Sequence, residues 1–476
     1  MPAFTHRTLA RLTLLGCLTA AGGSLAAPTP TTSRAAAPLV KLPELATYEL
    51  ANGLRVAVLR TTAAPVVSVQ MWVRAGSKDE PRDRRGLANV VEHLMFRGSR
   101  HVRDGAHLQL VAGVGGIASA AADEDATHFV DTLPSADVAF AIQLEADRLR
   151  GLLLRAETFA DEREVVKDDA RRSESSPVTR GFLRVLETAF TKHPYAWSTA
   201  GAVRDLDATT LADAKQFYDA YYQPNNALLV IVGDVQPDAV KAAVEASFGP
   251  IPRAAEPPRP AAAATEPPQT AARHETGTPS SIGLALVGYH VPAAADADSY
   301  AVQVAAIILG GGDSSRLRAA LRPALTTAKP GAKPPAAPLA RDAGIQLFVR
   351  QDPGIAIAYA IFSDGANSAA VESAIGTVVK TLGTAGPSPA ELRKAKSQVQ
   401  SAFVFSLENA QGIADAVGRS WVLTGDLKSA FDEGTRVEAV TAADVKRVVS
   451  KYMTPGLATT VSVAPGGGTV RTGGAQ

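Results

Sequence analysis

Asn89, Glu92 and His93 stand at i, i+3 and i+4 within residues 86–98 (GLANVVEHLMFRG). On a helix that spacing brings all three side chains to one face. A carboxamide, a carboxyl and an imidazole so placed are the donor types of a helix-borne metal site, and the carboxyl can also move a proton. On these three residues alone, a polar stripe carrying a satisfied histidine is the more economical account. Other chemistries are thinner. The single cysteine, Cys17, has no internal disulfide partner and excludes Cys-x-x-Cys redox or cysteine-cluster zinc chemistry. Residues 310–315 (GGGDSS) lack the Lys-Ser/Thr of a phosphate loop and read as a helix end before a turn. No G-x-S-x-G occurs, which removes the usual serine-hydrolase elbow. The 48 Lys and Arg balance 47 Asp and Glu, so no net field favours nucleic acid or an anionic membrane surface.

The elements that must position these residues follow from pattern. At about 150 residues per domain, 476 residues make two or three domains. With 46% apolar but only 5% aromatic residues, the cores must be built from Ala, Val and Leu. Residues 1–26 read as a signal peptide: Arg7 and Arg11 precede an apolar run too short to span a bilayer, followed by small residues at 24–26. The alternative is a lipobox that leaves the protein anchored through Cys17; both readings export the chain to the periplasm or beyond. No other apolar run reaches a spanning length.

Residues 210–232 and 441–463 match at one offset, 441 − 210 = 231, with nine identities that include Thr210/Thr441, Asp213/Asp444 and Pro224/Pro455. Each copy reads as an N-capped helix, a Pro turn and a β-branched strand, and therefore as a duplicated domain. The expected organisation is a domain over 40–252, a Pro/Ala-rich linker at 253–279, a homologous domain over 280–465 and a disordered tail at 466–476. Residues 326–338 (TTAKPGAKPPAAP) read as a mobile surface loop. Strands are expected at 54–59, 66–73, 129–133 and 282–289, and helices from Gly86 and over 137–154, 159–174 and 299–309. Interleaved in this way they give an α+β fold, each domain a mainly antiparallel sheet with helices packed on one face.

The segments around the trio resemble the pitrilysin/insulinase family of zinc peptidases, whose inverted H-x-x-E-H motif would fall at residues 89–93. The likeness runs through SVQMWVRAGSKDE, ADEDATHF, LEADRLR, EREVVKDD, HPY, YYQPNNALLVIVGDV and, in the second half, LGGGDSSRL, covering most of residues 45–465. It implies two homologous domains facing each other as a clamshell. It also implies zinc held by two histidines and a downstream glutamate, with the motif glutamate as general base. Carried over, the base is Glu92 and one ligand is His93. Asn89 stands where the first histidine belongs. Asp169, at 169 − 93 = 76, stands where the glutamate belongs, and Glu162 matches the acid that supports it.

A carboxamide oxygen suits hard cations better than zinc, and aspartate is one methylene short, so a degraded centre with weak or absent zinc is expected. His101, His107 and His128 are possible replacement ligands among which spacing does not choose. The family binds substrate as an added strand on a sheet edge. The matching segment has Ser119 for Asn, then Ala120, Ala122 for Thr and Phe129 for Tyr, while Asp125 and Thr127 remain. Arg322 matches the arginine of a carbonyl clamp whose tyrosine is replaced by Lys329. The resemblance thus implies a non-catalytic subunit that binds peptide or unfolded polypeptide and pairs with an active relative or a second copy. The alternatives are an active zinc endopeptidase working through Glu92 and an envelope scaffold.

Overall fold

The structure is a computed structural model that describes residues 43–259, 265–322, 338–362 and 367–466. The expected signal segment, the loop at 326–337 and all but the first residue of the tail lie outside the described residues. Among the described residues no helix is long and apolar enough to cross a membrane.

Two mixed, mainly antiparallel sheets organise the chain. The first contains β1 (Leu45–Glu49), β2 (Arg55–Arg60), β3 (Val66–Val73), β4 (Ile117–Ala122), β5 (Thr127–Pro134) and β6 (Ala227–Gly233), in the order β1-β2-β6-β3-β5-β4. Only β2 and β6 pair in parallel. The second contains β7 (Arg273–Ser280), β8 (Gly283–Val291), β9 (Asp342–Phe348), β10 (Gly354–Phe362) and β11 (Thr459–Pro465), in the order β7-β11-β8-β10-β9, with one parallel pair, β7 and β11.

The sequence repeat is a structural repeat. Thr210 and Thr441 cap the helices Leu211–Tyr221 and Ala442–Tyr452, and Asp213 and Asp444 return the hydrogen bond to the cap residue. A Pro-started 3-10 turn follows in each copy and delivers β6 or β11.

Every residue of β6 is buried, which requires both faces of the sheet to be covered. Leu229 and Ile231 enter the core beneath the first half's own helices, whereas Leu228, Val230 and Val232 pack against Ile413, Ala414, Val417 and Trp421 of helix Ala410–Thr424, from the second half. The reciprocal exchange covers the second sheet. Leu284, Leu286, Ile355, Ile357 and Val461 pack against Val185, Leu186 and Ala189 of helix Pro177–Ala189, from the first half. Gly418 permits the closest of these approaches, since a Cβ there would lie 2.1 Å from Trp72 Cε2.

One expectation needs correction. Residues 273–279, read as linker, belong to β7, which pairs with β11 from Thr459↔Arg273 onward. Burial alternates along this strand without strong hydrophobicity, so its Pro, Gly and Thr content concealed it. The approach to it is anchored as well. The Glu266 carboxylate accepts hydrogen bonds from the backbone N–H groups of Thr191, Lys192 and His193.

Candidate metal centre and peptide edge

The motif helix is Leu87–Leu94. Leu87, Ala88, Val90, Val91 and Leu94 face the core, which leaves Asn89, Glu92 and His93 on the other side of the helix. Its first turn opens at Gly86, whose φ of 97° is left-handed and glycine-favoured. Glu80 accepts from the N–H groups of Gly86 and Ala88 at 2.9 and 2.8 Å, satisfying donors that no helical carbonyl reaches. Burial pushes the Glu80 carboxyl up to about 8.

His93 Nδ1 lies 2.8 Å from Glu162 Oε2 on the long helix Ala156–Ser175. Arg97 Nη1 reaches the other oxygen of Glu162 at 2.6 Å and is itself held by Asp104 at 2.7 Å. Burial alone would raise Glu162, but the hydrogen bonds from His93 and Arg97 prevail and hold it below the usual carboxylate range. Glu162 is therefore an anion that accepts from Nδ1–H, and such a carboxylate is the support that fixes the tautomer of a metal-ligating imidazole. Glu92 is 6% exposed. Burial pushes its carboxyl up to about 7, against the pull of His93 and of the Ala122 backbone N–H on β4.

The structure thus joins His93 to Glu162 and packs the motif helix beside β4. Asn89 shares that helix, and among the described residues no hydrogen bond reaches its amide. Asp169 lies two turns beyond Glu162 and is paired with Arg172 of its own helix. Ser119 and Ala120 sit on β4, the edge strand, with Ser119 exposed and Ala120 packed towards the first core. Arg322 is exposed at the end of helix Arg316–Leu321, next to residues outside the description that include Lys329. The three spare histidines are engaged elsewhere. His101 pairs with Asp147, His107 with Asp131, and His128 stacks on Trp72 at 4.1 Å.

Tested against these donors, zinc does not fit well. The support for one imidazole is complete, but a carboxamide holds the second position and a short carboxylate already bound by an arginine holds the third. Catalytic zinc draws on three strong protein ligands, and here one is present.

Two polar clusters escaped the sequence reading because their members are distant in the chain. Asp125, in the β4–β5 turn, accepts from Lys78 Nζ at 2.7 Å, Tyr195 Oη at 2.5 Å and the Gln351 N–H at 3.0 Å, tying both halves together beside the sheet edge. His107, Asp131 and Glu145 form a buried group with metal-ligand atoms close together. Arg148 donates to Glu145 at 2.9 Å and places a cation where a metal would add charge, so the group reads as an internal ion network. The segments ADEDATHF, HPY and LEADRLR carry Asp125, Tyr195, Glu145 and Arg148, whereas His107 stands in the sequence only as one of three possible replacement ligands.

Comparison with known proteins covers both halves. Residues 55–203 match the family model described as insulinase (peptidase family M16), and residues 208–399 match that described as peptidase M16 inactive domain. The chain is 28% identical over 428 residues to the zinc protease PqqE of Helicobacter pylori, covering 89% of this chain and 94% of that protein. It is 24% identical over 422 residues to the mitochondrial-processing peptidase subunit beta of Blastocladiella emersonii, covering 87% of each. The crystal structure of a protease from Helicobacter pylori aligns with a TM-score of 0.82 at 27% identity, over 89% of this chain and all of that one. A peptidase M16 inactive domain from Pseudomonas fluorescens gives 0.76 at 20% identity, over 89% of this chain and 98% of that one, a likeness of fold alone. With both halves matched and the same two-sheet architecture found in full-length relatives, the chain belongs to the insulinase family, peptidase family M16.

Proposed function

We propose that this chain is an exported, non-catalytic member of its family that binds extended peptide and pairs with an active relative. One observation carries the reading. The apparatus that orients a zinc-bound imidazole is complete at Glu162 and His93, while the other two ligand positions hold Asn89 and an Asp169 paired to Arg172. The peptide edge is better kept, because strand addition draws on backbone groups that β4 offers whatever its side chains. Pairing with a relative that carries an intact motif would supply the missing chemistry within a shared chamber. The test is to titrate the purified mature protein with unfolded polypeptide and assay cleavage, alone and mixed with such a relative. Binding without cleavage supports the reading; cleavage by the isolated chain that Glu92→Gln abolishes overturns it.

A second reading, a zinc endopeptidase using Glu92 as general base, draws support from the geometry of Glu162, His93 and Glu92 and from relatives named zinc proteases. It requires a further metal ligand.

A further inference from the structure

A cleft lies between the turn that follows helix Val138–Gly151 and helix Leu211–Tyr221. Its volume is about 350 Å³, which gives room for about a dozen non-hydrogen atoms at roughly 30 Å³ each. Helical spacing puts Lys215, Tyr218 and Asp219 on one wall, at i, i+3 and i+4. Residues 152–155 form the other wall, and the hydrogen bond from Leu153 N–H to Gly98 O at 3.1 Å holds that turn in place. Leu152 and Leu154 pack back against the first core, which leaves the Leu153 side chain 38% exposed.

The charged groups of this cleft are only partly satisfied. Arg150 Nη1 is buried without a hydrogen bond, and it lies 3.8 Å from Asp219 Oδ1, too far to make one. Among the described residues no ion pair or hydrogen bond reaches the exposed Arg155 guanidinium. Lys215 takes Asp219 Oδ2, so Oδ1 is left to accept. A buried donor without a partner is costly, and a carboxylate answers a guanidinium in matching two-pronged geometry.

We infer that this cleft holds the free C-terminus of a peptide ending in a bulky apolar residue: the terminal carboxylate meets Arg150 and Arg155, the last amide N–H donates to Asp219 Oδ1, and the side chain lies on Leu153. A carboxylate, an N–H donor and an apolar arm within about a dozen atoms are the make-up of one terminal residue. A fatty acid brings the first and the third but gives Asp219 nothing. No residue lining the cleft belongs to β4 or to helix Leu87–Leu94, so the inference goes beyond the reading above and stands apart from it.

Saturation-transfer NMR on the purified chain tests this, with N-acetyl-leucine as the probe and N-acetyl-leucinamide and octanoate as comparisons. N-acetyl-leucine should bind at least about tenfold more tightly than the amide, which lacks the charge, and than octanoate, which lacks the N–H. Arg155→Gln, an exposed change that leaves the fold alone, should weaken binding by at least about tenfold. Arg436→Gln, also exposed but in the second half, should leave it unchanged. Absence of N-acetyl-leucine binding at millimolar concentration, equal binding of the amide, or binding that survives both Arg155→Gln and Arg150→Gln overturns the inference. Octanoate bound as tightly as N-acetyl-leucine overturns the peptide assignment in favour of a fatty acid.

Discussion

Glu162 accepts a hydrogen bond from His93 Nδ1 at 2.8 Å, so this chain keeps the outer support of a metal site whose other ligand positions have changed. Such support costs about 10–100-fold in metal affinity when lost, which makes it worth keeping only if the imidazole has a ligand's task or recently had one.

Restoring the donors should restore the metal. Structural zinc sites with four ligands are worth about 10–16 kcal/mol, or about 3 kcal/mol and roughly 100-fold per ligand. Asn89→His combined with Asp169→Glu should tighten zinc by at least about 100-fold relative to the better single change, because each single leaves one defective position. Zinc titration against a competing chelator reads this. A double variant that binds like the wild type would show that positions 89 and 169 are not the ligand positions.

The joint between the halves should resist added volume at Gly418. A Cβ there meets Trp72, a buried ring, at 2.1 Å, whereas a Cβ at Gly376, also helical, meets nothing within 4 Å. Gly418→Ala should destabilise by about 1–3 kcal/mol, and Gly376→Ala should stabilise by about 0.5–1 kcal/mol through helix propensity. Thermal denaturation of both variants checks the contrast, and equal melting temperatures would contradict the close approach.

Acid should loosen the same joint. His128 stacks on Trp72 and faces Asp415 and Arg419 of the exchanged helix, and burial lowers it from the ordinary imidazole value to about 4. A histidine depressed in the folded state takes up its proton more readily when unfolded. Its contribution is therefore whole above the unfolded value near 6.5 and is lost as pH falls towards 4. Glu80 and Glu145, raised by burial to about 8, contribute with the opposite sign, so the comparison must be between variants. His128→Phe keeps the stack without the titration and should lose less stability than wild type between pH 6.5 and 4.5, a difference of up to about 2 kcal/mol. Parallel pH profiles would contradict the burial of a neutral His128.

Neither half should fold alone. Residues 43–259 without the rest would expose Leu228, Val230, Val232 and Trp72, and residues 265–466 alone would expose Leu284, Leu286 and Ile355. Produced separately the halves should aggregate, and produced together they should yield a soluble complex that melts cooperatively. A soluble, cooperatively melting first half would contradict the exchanged-helix packing.

Local elements were largely legible in the sequence, and the contacts between halves were not. Alternation placed β3 at Val66–Val73, and Thr210/Asp213 and Thr441/Asp444 announced their helices because capping is written within four residues. Helices on one face of each sheet were expected, and nothing local in β6 says that helix Ala410–Thr424 covers the other face. β7 was missed because an edge strand with one wet face needs few apolar residues. At the site, spacing grouped Asn89, Glu92 and His93 on one helix. The meeting of His93 with Glu162 depends on how that helix lies against helix Ala156–Ser175, which composition and periodicity do not encode.

The most direct measurement is the zinc content of the purified mature chain after brief exposure to equimolar zinc and gel filtration. A donor set of carboxamide, imidazole and arginine-bound aspartate predicts far less than one zinc per chain, rising to one in the Asn89→His, Asp169→Glu variant. One tightly retained zinc in the wild type, lost in His93→Ala, would contradict the account.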